Sequence, residues 1–326
     1  MYDVVFFSHG DWANIGAHLA EALRIVGVSA VSRAAWDLKP DYPIKSKLYE
    51  HYKEVVEDLE NAKVIFLMHG RPLLQDGVSG IPASIAEGKL VCTFHGGPPL
   101  INLPKGGIVE KGFFGRYTRR GLDPVHFIQM PKLYNTCKDL VDRIHLLSPP
   151  VDTMRLRTEY FRGGRKVVVG HFPRNTGNSL KTKGYDKVVR VFEQLTYHFE
   201  YHVATEFISW WDHIDRIRGC DIYVEKLSEL VQEWGMAALE AAALGKIVIT
   251  NFAAREVYEK FYGPSPIIEV SDPYGLYDVL LDMESWSSSR IREKQEETRI
   301  WAEKYHSFPV VGERLKRILH FEGVAL

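Results

Sequence analysis

The feature that most narrows what this chain can fold into is a repeated alternation of strand-length apolar runs with stretches of helical spacing. In the first half the runs are VVFFS (4–8), VSAVS (28–32), KVIFLM (63–68), KLVCTF (89–94) and VHFIQM (125–130). They are β-branched and aromatic, as strands are. Between the first two, ANIGAHLAEALRIVG sets Ile15, Leu19, Leu23 and Val26 on one face, with Asn14 as the expected N-cap and Gly27 as the stop. SKLYEHYKEVVEDLENA (46–62) supplies a second helix. Strands buried on both faces and separated by helices imply a parallel α/β sheet.

The alternation breaks at LLSPPVDTMRL, where Pro149 and Pro150 end regular structure, and restarts at RKVVVGHF (165–172). There follow a helix over 183–198, a strand over 201–206, a helix over 210–219 and a strand over 221–225. An alanine-rich helix, the strand KIVIT (246–250) and helices near 254–262, 275–284 and 288–306 come next. VVGERLKRILHF (310–321) closes the chain as an amphipathic helix. The expected organisation is two parallel-sheet domains, 1–150 and 151–326, with the last helix packing back on the first domain. Ligands of such folds bind at the carboxyl ends of the strands, so a cleft between the two sheets is the expected site.

Composition closes off several classes. With 326 residues, 45% hydrophobic and 25% charged, the chain has the profile of a globular protein with a sizeable core. A formal net charge of -1 disfavours nucleic acid as the main partner. Cys92, Cys137 and Cys220 form no Cys-x-x-Cys pair, which argues against a zinc site or disulfide framework and for a reduced, cytoplasmic setting. No apolar run reaches the roughly 18 residues of a membrane span, and no signal peptide is visible at the start.

Two segments carry charge where a parallel sheet would place a ligand. After the strand VVVGHF comes PRNTGNSLKTKG, whose Arg174, Lys181 and Lys183 sit among Gly177 and Gly184 and open onto a helix. Glycines let backbone N–H groups approach an anion, and a helix N-terminus adds partial positive charge. The alternative is a solvated basic loop. In QEWGMAALEAAALGKIVIT (232–250), a helix starting near Gly235 buries Glu240 among alanines. A buried carboxylate needs a partner, either an internal cation or a ligand.

QEWGMAALEAAALGKIVIT resembles the Glu-x7-Glu region of the retaining, group 1 (family 4-like) glycosyltransferases of the GT-B fold, with Gly235 on the motif's glycine and Glu240 on its second glutamate. PVDTMRLR resembles that family's interdomain signature, and HFPRNTGNSLKTKG its diphosphate loop, with Lys183 and Gly184 as the matched pair. VCTFHGGPPL and ANIGAHLAEAL are similar to a strand and the first helix of its N-terminal domain. The resemblance implies two Rossmann-like domains facing across a cleft. It also implies an enzyme that moves a hexosyl group from a UDP- or GDP-linked sugar, with no cofactor beyond that co-substrate and no metal.

The resemblance assigns roles residue by residue. Arg174, Lys183 and Gly184 hold the donor diphosphate, while Glu240, Gly235 and Met236 hold the nucleotide and its ribose. The first motif glutamate falls on Gln232, and Glu233 is one place late, so these two share the position beside the donor sugar. NFAAREVYE replaces the family's Gly-Gly-x-x-Glu segment, with Glu256 its matched acid. No Asp-x-Asp metal motif is present.

The first domain is the acceptor side. FSHGDWANIG offers His9, Gly10, Asn14 and Gly16 at the end of the first strand, and FLMHGRP and CTFHGGPP add His69 and His95. His95 is the favoured proton relay for the acceptor hydroxyl, with His9 next; each is equally readable as a structural histidine. The segment 105–121 has five Lys or Arg against one Glu, with Phe113, Phe114 and Tyr117 interleaved. It reads as a grip on a lipid-linked or other anionic acceptor, a peripheral membrane contact, or a surface loop. Trp234 is expected to wall the cleft, and Trp210 and Trp211 to cap the sheet.

The expected function is therefore transfer of a sugar to a glycan, a lipid-linked molecule or a small molecule. A sugar-nucleotide epimerase, a DNA-base glucosyltransferase and a non-catalytic nucleotide- or glycan-binding module remain alternatives. A nicotinamide dehydrogenase does not fit, because no strand leads into Gly-x-Gly-x-x-Gly.

Overall fold

The computed structural model describes residues 2–36, 41–49, 52–68, 83–96, 122–173, 179–206, 208–228 and 234–326. The chain divides into two compact units: Met1–Pro150 with Phe308–Leu326, and Val151–Ser307.

In the first unit the strands are β1 (Val4–Gly10), β2 (Ala30–Trp36), β3 (Lys47–Leu48), β4 (Val64–Met68), β5 (Leu90–His95), β6 (Val125–Ile128) and β7 (Ile144–Leu146). They form one parallel sheet in the order β3-β2-β1-β4-β5-β6-β7. Successive side chains of β1 point to opposite faces, and both faces are buried. Val4 and Phe6 pack with Leu19 and Leu23 of α1 (Ile15–Ile25), while Val5 and Phe7 pack with Val55 and Leu59 of α2 (Tyr52–Asn61). The closing helix lies over α1 with Val311, Leu315 and Leu319 inward. Gly312 permits this, since a Cβ there would stand 2.2 Å from the Ala22 carbonyl oxygen.

Two expectations for this unit need correcting. Lys47 and Leu48 are not helical; they pair with Arg33 and Ala34 at the sheet edge, where free backbone groups outcompete a weak local helix preference. Asn14 stands at the N-cap position but makes no capping bond, because it and Ala13 are both left-handed, at φ 53° and 55°. Asp11 caps instead: its carboxylate accepts from the N–H groups of Gly16 at 2.9 Å and Ala17 at 2.8 Å. A helix α3 (Pro131–Cys137) also follows β6. Its proline in the first turn was the legible signal.

The second unit has β8 (Val168–His171), β9 (Glu200–Val203), β10 (Ile222–Lys226), β11 (Ile247–Thr250) and β12 (Ile268–Glu269), parallel and in the order β12-β11-β10-β8-β9. The helices are α4 (Ser179–Lys183), α5 (Tyr185–Gln194), α6 (Trp210–Arg218), α7 (Met236–Ala243), α8 (Arg255–Tyr262), α9 (Pro273–Glu284) and α10 (Ser288–His306), and α11 (Phe308–Phe321) is the closing helix of the first unit. Val188, Val191 and Phe192 of α5 pack with Val169, Ile222, Val224 and Ile249 of the sheet. Residues 151–161 are tied to α10: Val151 N–H donates to the His306 carbonyl at 2.8 Å, and Phe161 N–H to Gln295 Oε1 at 2.7 Å.

In each sheet the chain runs outward from one strand and then switches to its other side, between β1 and β4 and between β8 and β10. Crevices at the carboxyl ends of such strands are the binding positions of open α/β sheets.

Candidate functional site

At the β8/β10 switch point Lys183, the last residue of α4, is fixed through both its backbone and its side chain. Its carbonyl accepts from Leu227 N–H at 2.9 Å, and its ammonium pairs with the Glu225 carboxylate at the end of β10. Gly184 follows in the left-handed region at φ 71°, where a Cβ would lie 1.9 Å from the Leu227 carbonyl oxygen. Only glycine lets the chain pass this close to β10 and start α5. The Lys-Gly pair therefore has a steric reason, and α4 replaces the continuous loop expected before the helix.

Glu225 has no exposed side-chain surface. One oxygen takes Lys183; the other accepts from Thr250 Oγ1 at 3.0 Å and lies 3.4 Å from Lys226 Nζ. Burial alone pushes its carboxyl up, but Lys183, Lys226 and Thr250 outweigh it and hold the group below the usual carboxylate range. Gly235, the N-cap of α7, closes the cluster: a Cβ there would stand 3.2 Å from Glu225 Oε1 and 3.9 Å from Lys183 Nζ. Two ammonium groups and a helix N-terminus thus gather around one carboxylate, a grouping of the kind that receives anions.

His171 ends β8 beside this cluster. Its Nδ1 lies 2.8 Å from the Val224 carbonyl, which can only accept, so the proton is on Nδ1 and Nε2 offers a lone pair. Full burial, helped by the nearby Lys183 cation, lowers its pKa to about 4, so the ring is neutral near pH 7. Nε2 has no hydrogen-bond partner among the described residues.

Met236 opens α7, and Glu240 sits one turn further on, only 2% exposed. Trp210 Nε1–H at the start of α6 donates to Glu240 Oε1 at 2.7 Å. Phe172, Tyr201, Val203, Ile208, Asp212 and Arg216 line a cavity of about 820 Å³ between the edge strand β9 and α6. That volume lies in the range that holds drug-sized ligands. Trp210 is buried as expected, but Trp211 is 47% exposed. Trp234 is core rather than a wall, packed against Phe252, Tyr258, Trp301 and His306 because aromatic side chains surround it. Glu256 is exposed on α8.

In the first unit, His9 and Gly10 end β1, with the His9 ring edge-on to Trp36 at 3.8 Å between centroids. Gly16 lets α1 approach β2, since a Cβ there would stand 2.8 Å from Ser32 Oγ. The first turn of α1 is satisfied by Asp11, which also accepts from Ser46 Oγ at 2.8 Å. Two strands away His95 ends β5, and its Nε2 lies 2.7 Å from Thr93 Oγ1. Arg174, Gln232, Glu233, His69 and the segment 105–121 lie outside the described residues. Among those described, no three His, Cys, Asp or Glu side chains converge so as to hold a metal ion, and no helix is long and apolar enough to cross a membrane.

Reading the sequence missed Glu225, His171, Thr93 and His126, and gave Trp210 a place in the core without its bond to Glu240. For Glu225 a signal existed: a charged Glu-Lys pair ends the otherwise apolar strand IYVEK.

No family model matches the chain, and no curated protein matches it in sequence. Solved structures do match in fold. HepE from Anabaena, in complex with UDP and glucose, is 12% identical, with 98% of this chain and 100% of that one covered at a TM-score of 0.68. Sucrose-phosphate synthase from Thermosynechococcus elongatus is 12% identical over 98% of both chains at 0.66. WaaG, a glycosyltransferase involved in lipopolysaccharide biosynthesis, is 15% identical over 97% of this chain and 99% of its own at 0.56. With two parallel, Rossmann-like sheets and this set of structural relatives, the chain has the GT-B glycosyltransferase fold.

Proposed function

We propose that this protein is a glycosyltransferase that binds a nucleotide diphosphate sugar on its Val151–Ser307 unit and passes the sugar to an acceptor held by the Met1–Pro150 unit. The observation that carries this reading is the meeting of Lys183, Gly184 and the α7 N-terminus at the β8/β10 switch point of a GT-B chain. As the bond between the anomeric carbon and the diphosphate oxygen breaks, negative charge grows on the leaving group. Lys183, Arg174 and the α7 dipole stabilise that charge, a preorganised contribution that often dominates catalysis. In this reading the charge is met by side chains and not by a metal.

Glu240, held by Trp210, accepts from the ribose hydroxyls. Met236 and Gly235 frame the nucleotide, and the 820 Å³ cavity receives the base. HepE binds UDP, which supports a uridine nucleotide over a guanosine one. By the motif resemblance, Gln232 and Glu233 share the role beside the donor sugar, and His95 serves the acceptor hydroxyl, with His9, Gly10, Asn14, Gly16 and His69 the other acceptor-side candidates. The motif resemblance supports retention of anomeric configuration and a hexosyl group. The acceptor is a glycan, a lipid-linked molecule or a small molecule. Three buried, unbridged cysteines fit a cytoplasmic setting.

A panel of nucleotide sugars in a thermal-shift assay tests the reading. A donor at a hundredfold its dissociation constant adds about 2.7 kcal/mol of stability, and incubation with acceptor releases nucleoside diphosphate. Absence of any shift across UDP- and GDP-sugars overturns the donor site. A shift with no nucleotide release favours a binding module instead.

A further inference from the structure

A second cavity, of about 260 Å³, lies within the first unit and belongs to no site described above. Small side chains make its floor: Ala17 and Ala20 on one face of α1, and Ala30, Val31 and Ser32 at the start of β2. All five are buried. Arg24 in the last turn of α1, Tyr2 ahead of β1, and the exposed Lys45 and Lys47 at β3 complete the lining. Tyr2, Ala30 and Lys47 stand at or before the first residue of their strands, which places the cavity at the amino ends of β1, β2 and β3. His9 and His95 end strands at the opposite edge of the same sheet.

Three cations line this cavity, and none of the described residues that line it is acidic. Their charges are unequally balanced. Arg24 is paired with Glu21, to which its Nε donates at 3.0 Å, and its Nη1 donates to the Ala30 carbonyl at 2.9 Å. Lys47 instead donates to the Tyr2 hydroxyl at 2.9 Å, a neutral partner that leaves the ammonium charge uncompensated. Lys45 makes no ion pair among the described residues. Two like charges at one cavity repel, and an anion between them removes that repulsion. Tyr2 accepts from Lys47 and keeps its own proton to donate. Ser46 gives its proton to Asp11 at 2.8 Å, so Ser32 donates to Ser46 at 2.7 Å and its oxygen is left with lone pairs only.

We propose that this cavity is a second ligand site, one that takes a phosphomonoester of a small hydroxylated molecule. The dianionic phosphate sits between Lys45 and Lys47 and accepts from the Tyr2 hydroxyl. The carbon part lies over Ala17, Ala20 and Ala30, with Ser32 Oγ accepting from one of its hydroxyls. Lysine serves phosphate as a point charge on a flexible stem, so two exposed lysines suit it. The cavity holds roughly nine water volumes, more than a bare phosphate fills, so the organic part enters with it. A soluble metabolite and a lipid headgroup present the same group. The site does not depend on sugar transfer, since every residue in it lies away from the donor cluster and the carboxyl ends of the strands.

Glycerol 3-phosphate is the probe, and amide chemical shifts of the full chain are the readout, because phosphate is also expected at Lys183. Titration should move the amides of Ala20, Ala30, Val31 and Ser32 and saturate; glycerol should not move them. Lys45→Gln keeps the bond between Lys47 and Tyr2, should fold as wild type does, and should weaken binding by about tenfold. Lys45→Gln with Lys47→Gln should abolish the saturable shift. Sedimentation with vesicles of phosphatidic acid or of phosphatidylcholine separates the sources. A preference for phosphatidic acid that is lost in Lys45→Gln assigns the group to a lipid, whereas local shifts without that preference assign it to a soluble molecule. If the double variant does not fold, Lys45→Gln alone decides. Shifts of unchanged affinity in Lys45→Gln, or no local shift together with no lysine-dependent vesicle binding, overturn the site.

Discussion

The ammonium of Lys183 pairs with the carboxylate of Glu225, a side chain with no exposed surface, directly beneath the first turn of α7. The cluster is its own anion site, already holding one negative charge. Removing Lys183 leaves that carboxylate with Lys226 and Thr250, so the loss is smaller than for an isolated buried pair. Lys183→Ala should lower the unfolding free energy by about 2 kcal/mol, read from urea titration, and Glu225→Gln in the same chain should recover part of it. Nucleoside diphosphate binding should weaken about tenfold or more, read by calorimetry. Unchanged affinity would remove Lys183 from the donor site.

Gly184 should tolerate nothing larger. An alanine there combines a left-handed backbone with a Cβ 1.9 Å from the Leu227 carbonyl oxygen. The conformational term alone is about 1–2 kcal/mol, and the clash forces α4 away from β10. Gly184→Ala is expected to lose more than about 2 kcal/mol of stability and to weaken nucleotide binding together with it, because Lys183 moves too. A variant with the wild-type urea midpoint would mean that α4 is not seated against Leu227.

What the sequence made legible follows from local physics. Strands apolar on both faces announced parallel sheets, and α10 was read at 288–306, as found, because a long periodic helix dominates its own boundaries. Lys183, Gly184 and Gly235 were readable as motif positions. Their shared geometry was not, since it arises from β10 register and the close approach at Leu227. Asn14 was misread because a left-handed backbone overrides the N-cap preference of its residue type. Thr93 and His126 were invisible for a different reason: β5 and β6 are far apart in sequence, and only their parallel register brings a hydroxyl between two rings.

Acid should destabilise the second unit in two overlapping windows. His171 titrates near 6.5 when exposed and at about 4 in the fold, so between those values the unfolded chain binds the proton first. Its contribution is complete above about pH 6.5 and drains away as pH falls to 4, a loss of about 3 kcal/mol. Glu225, whose folded value is depressed, contributes fully above the unfolded carboxyl value of about 4.3 and is lost as pH falls through its lower folded value. Urea midpoints at pH 7, 6, 5 and 4 should therefore decline. His171→Asn should flatten the upper part of that decline; an unaltered slope would assign it to other groups.

Trp210 and Glu240 allow the ribose assignment to be tested separately from the diphosphate. Trp210 Nε1–H fixes Oε1 of a carboxylate that is nearly without exposed surface, and a fixed acceptor discriminates best between ligands with and without hydroxyls. Wild type should bind UDP about 10- to 100-fold tighter than 2′,3′-dideoxy-UDP, the range for hydrogen bonds to a charged group. Glu240→Ala should abolish that ratio while leaving the dideoxy ligand's affinity nearly unchanged, because its diphosphate contacts persist. Trp210→Phe keeps the carboxylate but frees its orientation, so the ratio should shrink by a few-fold and not vanish. Lys183→Ala should weaken both ligands equally and preserve the ratio. If Glu240→Ala discriminates as wild type does, the ribose is held elsewhere and the carboxylate of α7 serves only to seat Trp210.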